Sequence, residues 1–219
     1  MLTRLKQLGV AALAAVLMTG TAQAATVIDF NTGLAGEGGT ISWDGTNLIG
    51  SNIPIGAAFI TGAPTNNGVY VVSGTASGQG GSNFGSLNFN TSPDNNFITI
   101  SGCIASLSVG IDANGNCEPV ALMDGTFTAF NGANSVNGLD DAFGPDVKNV
   151  QLLNAINFPT DLPWEFFGFS LTTSNLQPNG QPGMVISTDI RNTAVPEPAT
   201  MMLLGTGLLA AFRARRRQA

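Results

Sequence analysis

Histidine is absent from all 219 residues. That absence excludes Ser-His-Asp and Cys-His catalysis and the usual histidine-bearing zinc sites. Basic residues are scarce: eight Lys and Arg stand against 14 Asp and Glu. Arg4, Lys6, Arg213, Arg215, Arg216 and Arg217 lie near the chain ends, so residues 25–195 keep only Lys148 and Arg191 against 13 acids, a net charge of −11. Phosphate binding needs clustered Lys and Arg, so no nucleic-acid partner is expected and anionic lipid is repelled. Such acidity speaks of solubility and of divalent cations, not of fold. Cysteine occurs twice, at Cys103 and Cys117, without the Cys-x-x-Cys spacing of a redox motif. Long apolar runs are missing too, since the longest, from Ala199 to Phe212, would make a helix of roughly 21 Å against the ~30 Å of a bilayer core.

What is present sits first at the two ends. Arg4 and Lys6, an apolar stretch from Leu8 to Met18, and Ala22-Gln23-Ala24 before Ala25 have the order of a secretory signal peptide over residues 1–24. Signal peptidase is the partner this implies, with Ala22, Ala24 and Ala25 marking the cut. At the other end, Val195-Pro196-Glu197-Pro198 precedes the short apolar run, and Arg213, Arg215, Arg216 and Arg217 close it. Each proline fixes its own φ and biases the preceding residue toward extended backbone, so Val195 to Pro198 should present an exposed peptide. Arginines behind a marginal span hold the C-terminus on the cytoplasmic side and leave the rest outside.

This triplet of features resembles the PEP-CTERM sorting signal, the substrate tag of bacterial exosortases, over about residues 195–217. The resemblance implies a membrane-embedded exosortase as partner and a cut near Pro-Glu-Pro. It further implies a transient stay in the inner membrane through a C-terminal apolar helix, and a host that makes extracellular polysaccharide. The cysteine chemistry of that cut belongs to the exosortase. Three regions follow: signal peptide 1–24, body 25–194, and sorting signal 195–219.

An exported body makes a disulfide the default state of Cys103 and Cys117, a local staple worth roughly 2–4 kcal/mol. The body itself reads as all-β. Runs of period two at 26–30, 40–43, 57–61, 69–73, 86–90, 97–101, 104–111, 119–123, 126–130, 165–172 and 184–190 are separated by turn signals such as Asp44-Gly45 and Asn114-Gly115. Alternation is clearest at Leu107, Val109 and Ile111, and at Phe167, Phe169 and Leu171. The number and spacing of these strands predict an antiparallel two-sheet sandwich, with a jelly roll or barrel as the alternative. Val147, Val150, Leu153 and Ile156 fall on one helical stripe behind Pro145, which predicts one short helix over 145–157. The Gly- and Ser-rich stretch Ser73–Ser86 reads as a loop.

Few constellations suggest chemistry. Asp140, Asp141, Asp146, Asp161 and Glu165 cluster in sequence, and a glycosidase needs two carboxyls at a set separation; solvated loop acids explain the cluster as well. Asp112, Asn114 and Asn116 alternate like the start of an EF-hand loop. Cys117 and Met123 occupy the positions where Gly and Glu are required, leaving a looser calcium site or a plain Asx-rich turn. Asp140 and Asp141 are a weaker calcium candidate, and no other cofactor is expected. Trp43, Tyr70 and Trp164 could stack on sugar rings but sit among apolar neighbours, so core packing is favoured. The expectation is an exported, non-catalytic cell-surface or matrix protein associated with extracellular polysaccharide. The alternative is a secreted carboxylate-dependent glycoside hydrolase or carbohydrate-binding module.

Overall fold

The computed structural model describes residues 27–78, 83–131 and 138–195 together with Gly205 and Gly207, and at 131 and 138–141 the backbone alone. Contacts divide the chain into Ala25–Val195 and a second unit of Met1–Ala24 with Pro196–Ala219. The expected signal peptide and the apolar helix of the tail lie outside the described residues, save Gly205 and Gly207. Among the described residues no helix is long and apolar enough to cross a membrane.

Thirteen strands build the body: β1 Val27–Asn31, β2 Gly38–Trp43, β3 Leu48–Ile55, β4 Ala57–Thr61, β5 Gly68–Val71, β6 Ala76–Ser77, β7 Asn83–Asn90, β8 Phe97–Gly102, β9 Val120–Gly125, β10 Ala129–Asn131, β11 Gly138–Lys148, β12 Trp164–Ser174 and β13 Gly183–Ala194. Within the described part of the body the α-helix is α1 Val150–Ala155, which follows β11. Every strand pairing is antiparallel, and eight strands close into a ring in the order β11-β9-β8-β7-β3-β2-β13-β12 and back to β11.

A closed barrel therefore stands in place of the two-sheet sandwich. The cause is the length of the last strands. On one edge, β13 pairs its first residues, Gly183 and Val185, with β2 and its later ones, Asp189 to Thr193, with β1. Its other edge pairs with β12 throughout. Similarly β11 gives Asp140–Phe143 to β10 and Asp146–Lys148 to β9. Strands shared in this way join sheets that would otherwise remain separate, and they leave β1, β4 and β5 as a flap branching from β13.

Strand patterning fills the interior. Phe89 meets Phe169 edge-on at 5.3 Å and Phe127 meets Phe166 at 5.4 Å, a geometry that ring quadrupoles favour. Both Phe166 and Phe169 are buried while Phe167 is exposed, so the predicted Phe167-Phe169-Leu171 alternation is corrected. The reason is a bulge: the β12–β13 register shifts between Phe167 and Ser170, where Gly168 takes φ 62°. One extra residue on the bulged strand returns the next side chain to the inner face.

Two further expectations change. Residues 104–111 are not a strand, because Ala105–Leu107 form a 3-10 turn and Ser108 is left-handed, leaving single bridges Ile104–Val109 and Ile111–Cys117. The predicted helix over 145–157 shrinks to α1, because β11 runs on through Lys148. From Ala142 to Lys148 burial alternates with period two, and Val147 faces out. Asn149 starts the helix, its side chain accepting from Gln151 N at 2.8 Å. Part of the Ser73–Ser86 stretch is also strand, since β6 pairs with the start of β7.

Candidate functional site

Because β11 keeps its strand parity to the end, Asp146 and Lys148 point into the barrel. Their side chains are fully buried. The Lys148 ammonium donates to Asp146 Oδ1 and, at 2.9 Å, to Asn192 Oδ1 on β13. Asn192 is itself fixed, its Nδ2 donating to the Ile28 and Ile190 carbonyls at 2.9 and 3.0 Å. The Trp164 ring lies 5.3 Å from Lys148 Nζ and packs against Phe158. Two buried atoms here have no hydrogen-bond partner, Asp146 Oδ2 and Trp164 Nε1. Burial pushes the Lys148 ammonium down to about 8 against the pull of Asp146. Burial likewise raises the Asp146 carboxyl, with Lys148 opposing the shift. Both shifts favour the neutral forms, as desolvation does.

A second polar cluster occupies the outside of the same strand. Register places Asp29 opposite both Arg191 and Phe59, with Asp189 one step away opposite Asn31. The three charged groups and Phe59 line an open depression of about 440 Å³. Arg191 Nε lies 3.6 Å from Asp29 Oδ2, and its Nη2 lies 3.7 Å from Asp189 Oδ2. Asp29 Oδ1 and Asp189 Oδ1 are buried without a hydrogen-bond partner. Burial first, and Asp189 second, push Asp29 up to about 7, while Arg191 pulls it down.

At the end of β13 the Val195 amide donates to the Pro163 carbonyl at 2.9 Å. Residues 194–217 match the PEP-CTERM protein-sorting motif. No curated protein matches the chain, and no solved structure does. A PEP-CTERM motif implies an exported protein that is membrane-anchored while an exosortase processes it. Pro196, Glu197, Pro198 and the four arginines of the motif lie outside the described residues, as do Ala22, Ala24 and Ala25.

Elsewhere the predicted residues scatter. Cys103 and Cys117 form a disulfide with a Cα–Cα distance of 5.7 Å. The Asp112 Oδ1 accepts from the amides of Asn114 and Asn116 at 2.9 and 2.7 Å, the bonding of an Asx-rich turn. Of the acid cluster, Asp146 is interior whereas Asp161 and Glu165 are exposed, and the side chains of Asp140 and Asp141 fall outside the description. Trp43 and Trp164 are buried, and partly buried Tyr70 donates its hydroxyl to the Asn66 carbonyl at 2.7 Å. None of Asp29, Asp189 and Asn192 stands out in the sequence. The available signal was parity: Phe143, Pro145 and Val147 outward puts the only lysine of the body inward.

Proposed function

We propose that this chain is an exported, non-catalytic surface or matrix protein whose barrel associates with extracellular polysaccharide after an exosortase removes its tail near Val195–Pro198. The sorting motif following directly on the last strand carries the reading. A cut near 195–198 falls after β13 Gly183–Ala194, so the strands of the barrel all remain in the body. The test is the exported protein in a host with and without its exosortase. With the enzyme, mass spectrometry should find a C-terminus between 195 and 198. Changing Glu197 to Ala should leave a membrane-held, uncut form, and Arg217 still attached in the wild type would refute the reading. Sedimentation with the host's own polysaccharide, abolished when that polysaccharide is stripped, tests the second half.

The Asp29–Asp189 pair favours a hydrolase as the second reading, because both acids line one open depression and burial lifts the Asp29 carboxyl to about 7. Polysaccharide turnover by the exported protein, lost on Asp29→Asn, would put the hydrolase first.

A further inference from the structure

The interior centre contains the reactants of an amide-forming reaction. Lys148 is an amine in an apolar cage, Asn192 is a carboxamide at 2.9 Å from it, and Asp146 is a carboxyl in contact with the amine. Relative exposures of 3%, 0% and 6% put all three out of water. In such surroundings an ion pair gains less than it loses by desolvation, and the neutral amine with a neutral acid becomes the competing state. A deprotonated, desolvated lysine is a nucleophile, and an adjacent carboxylic acid is the group that can polarise a carbonyl and shuttle protons.

We propose that Lys148 and Asn192 become joined by an intramolecular amide bond, with Asp146 as the proton-transferring residue. The ammonium first gives a proton to Asp146. Lys148 Nζ then attacks Asn192 Cγ while the Asp146 acid protonates Oδ1, giving a tetrahedral centre whose positive charge sits on Nζ beside the Asp146 carboxylate. Asp146 takes a proton from Nζ and passes it to Nδ2, so the charge moves to the leaving group. The Cγ–Nδ2 bond breaks, the carbonyl reforms as Oδ1 gives its added proton to Asp146, and ammonia leaves; the proton that began on the lysine ammonium stays on Asp146 or departs with the ammonia. An amine and a primary amide become a secondary amide and ammonia, so no oxidant, metal or cofactor enters. Nδ2 is already held by the Ile28 and Ile190 carbonyls, which fix the plane of the amide under attack. Since Asp146 Oδ2 has no partner, the carboxyl keeps a free position for the proton it carries.

The bond would tie β11 to β13 across the intervening β12, closing a loop with a sequence separation of 44. Asn192 lies just before Val195, so the clamp would fix the strand that leads into the tail. It does not depend on the tail being cut.

The test uses the full chain isolated from the host, reduced and denatured. The expected mass is one ammonia lighter than that calculated for the chain between the N- and C-termini found in the same sample. Trypsin should fail to cut after Lys148, because an acylated lysine carries no charge, and the peptide beginning at Asn192 should remain joined to the one containing Lys148. Asp146→Asn and Lys148→Arg should each restore the full mass and separate the peptides. An intact mass equal to that calculated for the observed termini, with Lys148 free, overturns the proposal without recourse to any variant. Loss of ammonia without the branched peptide overturns it as well, since that is ring closure at a single asparagine.

Discussion

Along β13, Asp189 and Arg191 face solvent while Ile190 and Asn192 face the barrel interior, so one strand contributes to two clusters of similar composition. Outside, Arg191 is 56% exposed and its contacts to Asp29 and Asp189 are 3.6 and 3.7 Å. Inside, Lys148 and Asp146 have no exposed side-chain surface and touch directly. Water decides what each pair is worth. The outer guanidinium can rotate to solvent at little cost, so its contacts are optional. The inner pair has no such outlet, and each charge is tolerable only while the other, or a proton transfer between them, neutralises it.

The sharpest way to break this contrast is to remove one partner on each face. Lys148→Ala should cost about 3–5 kcal/mol, because it strands a carboxyl in the core. Asp189→Ala should cost less than about 1 kcal/mol. Chemical denaturation of the two variants beside the wild type measures both, and equal losses would end the comparison. The double change Asp146→Leu with Lys148→Met should recover only part of the first loss, since it removes both buried charges but leaves Asn192 Oδ1 without the donor that Lys148 supplies.

The disulfide gives a covalent yardstick between these extremes. Replacing both Cys103 and Cys117 by Ser should lower stability by roughly 2–4 kcal/mol, the range for a short closed loop. That places the staple below the inner pair and above the outer one. A loss smaller than that for Asp189→Ala would show that the 103–117 loop is held by its own turn bonds instead, such as Glu118 N to the Gly110 carbonyl at 2.8 Å.

How much of this was readable beforehand differs between the two faces for physical reasons. Strands such as β4 and β8 were legible because apolar alternation and flanking turns agree. The inner centre was not, because Val147, Val150, Leu153 and Ile156 mimic a helical stripe and Val147 proves to be 70% exposed. A buried lysine looks in sequence like any surface lysine, and only its strand parity distinguishes it. The outer cluster depends on register between β1 and β13, about 160 residues apart, and pairing at that distance has no local signature. Closure of the barrel was hidden likewise, since it follows from which neighbour each end of β11 and β13 chooses. The bulge was signalled by Gly168 within an aromatic run.

The two faces should also differ in pH response, and the sign follows from Asp29. Its folded value, raised from 3.8 to about 7, lies above the unfolded one, so the folded state holds the proton more tightly. That contribution is complete below about pH 4 and is lost as pH rises through about 7. Stability should therefore fall by roughly 1–3 kcal/mol between pH 4 and pH 8. Relief of the net negative charge at low pH acts in the same direction, so the wild-type curve alone does not isolate the pair. Asp29→Asn does: it removes the titrating group at nearly constant volume, and its curve should be flatter than the wild type's. Parallel curves would show that Asp29 does not carry the pH response.

The smallest expected effect is at Arg191. Arg191→Gln should change stability at pH 7 by less than about 1 kcal/mol, because the guanidinium is mostly solvated and its two contacts are long. Its influence should appear in a titration instead. Arg191 is the charge that pulls Asp29 down against burial and Asp189, so its removal should move the Asp29 midpoint above about 7. Carboxyl chemical shifts followed by NMR across pH 4 to 9 read this directly. A midpoint that stays put would mean that solvent already screens the arginine completely, leaving the outer cluster as a carboxyl pair alone. A midpoint that falls would contradict the cation's role and break the contrast from its weaker side.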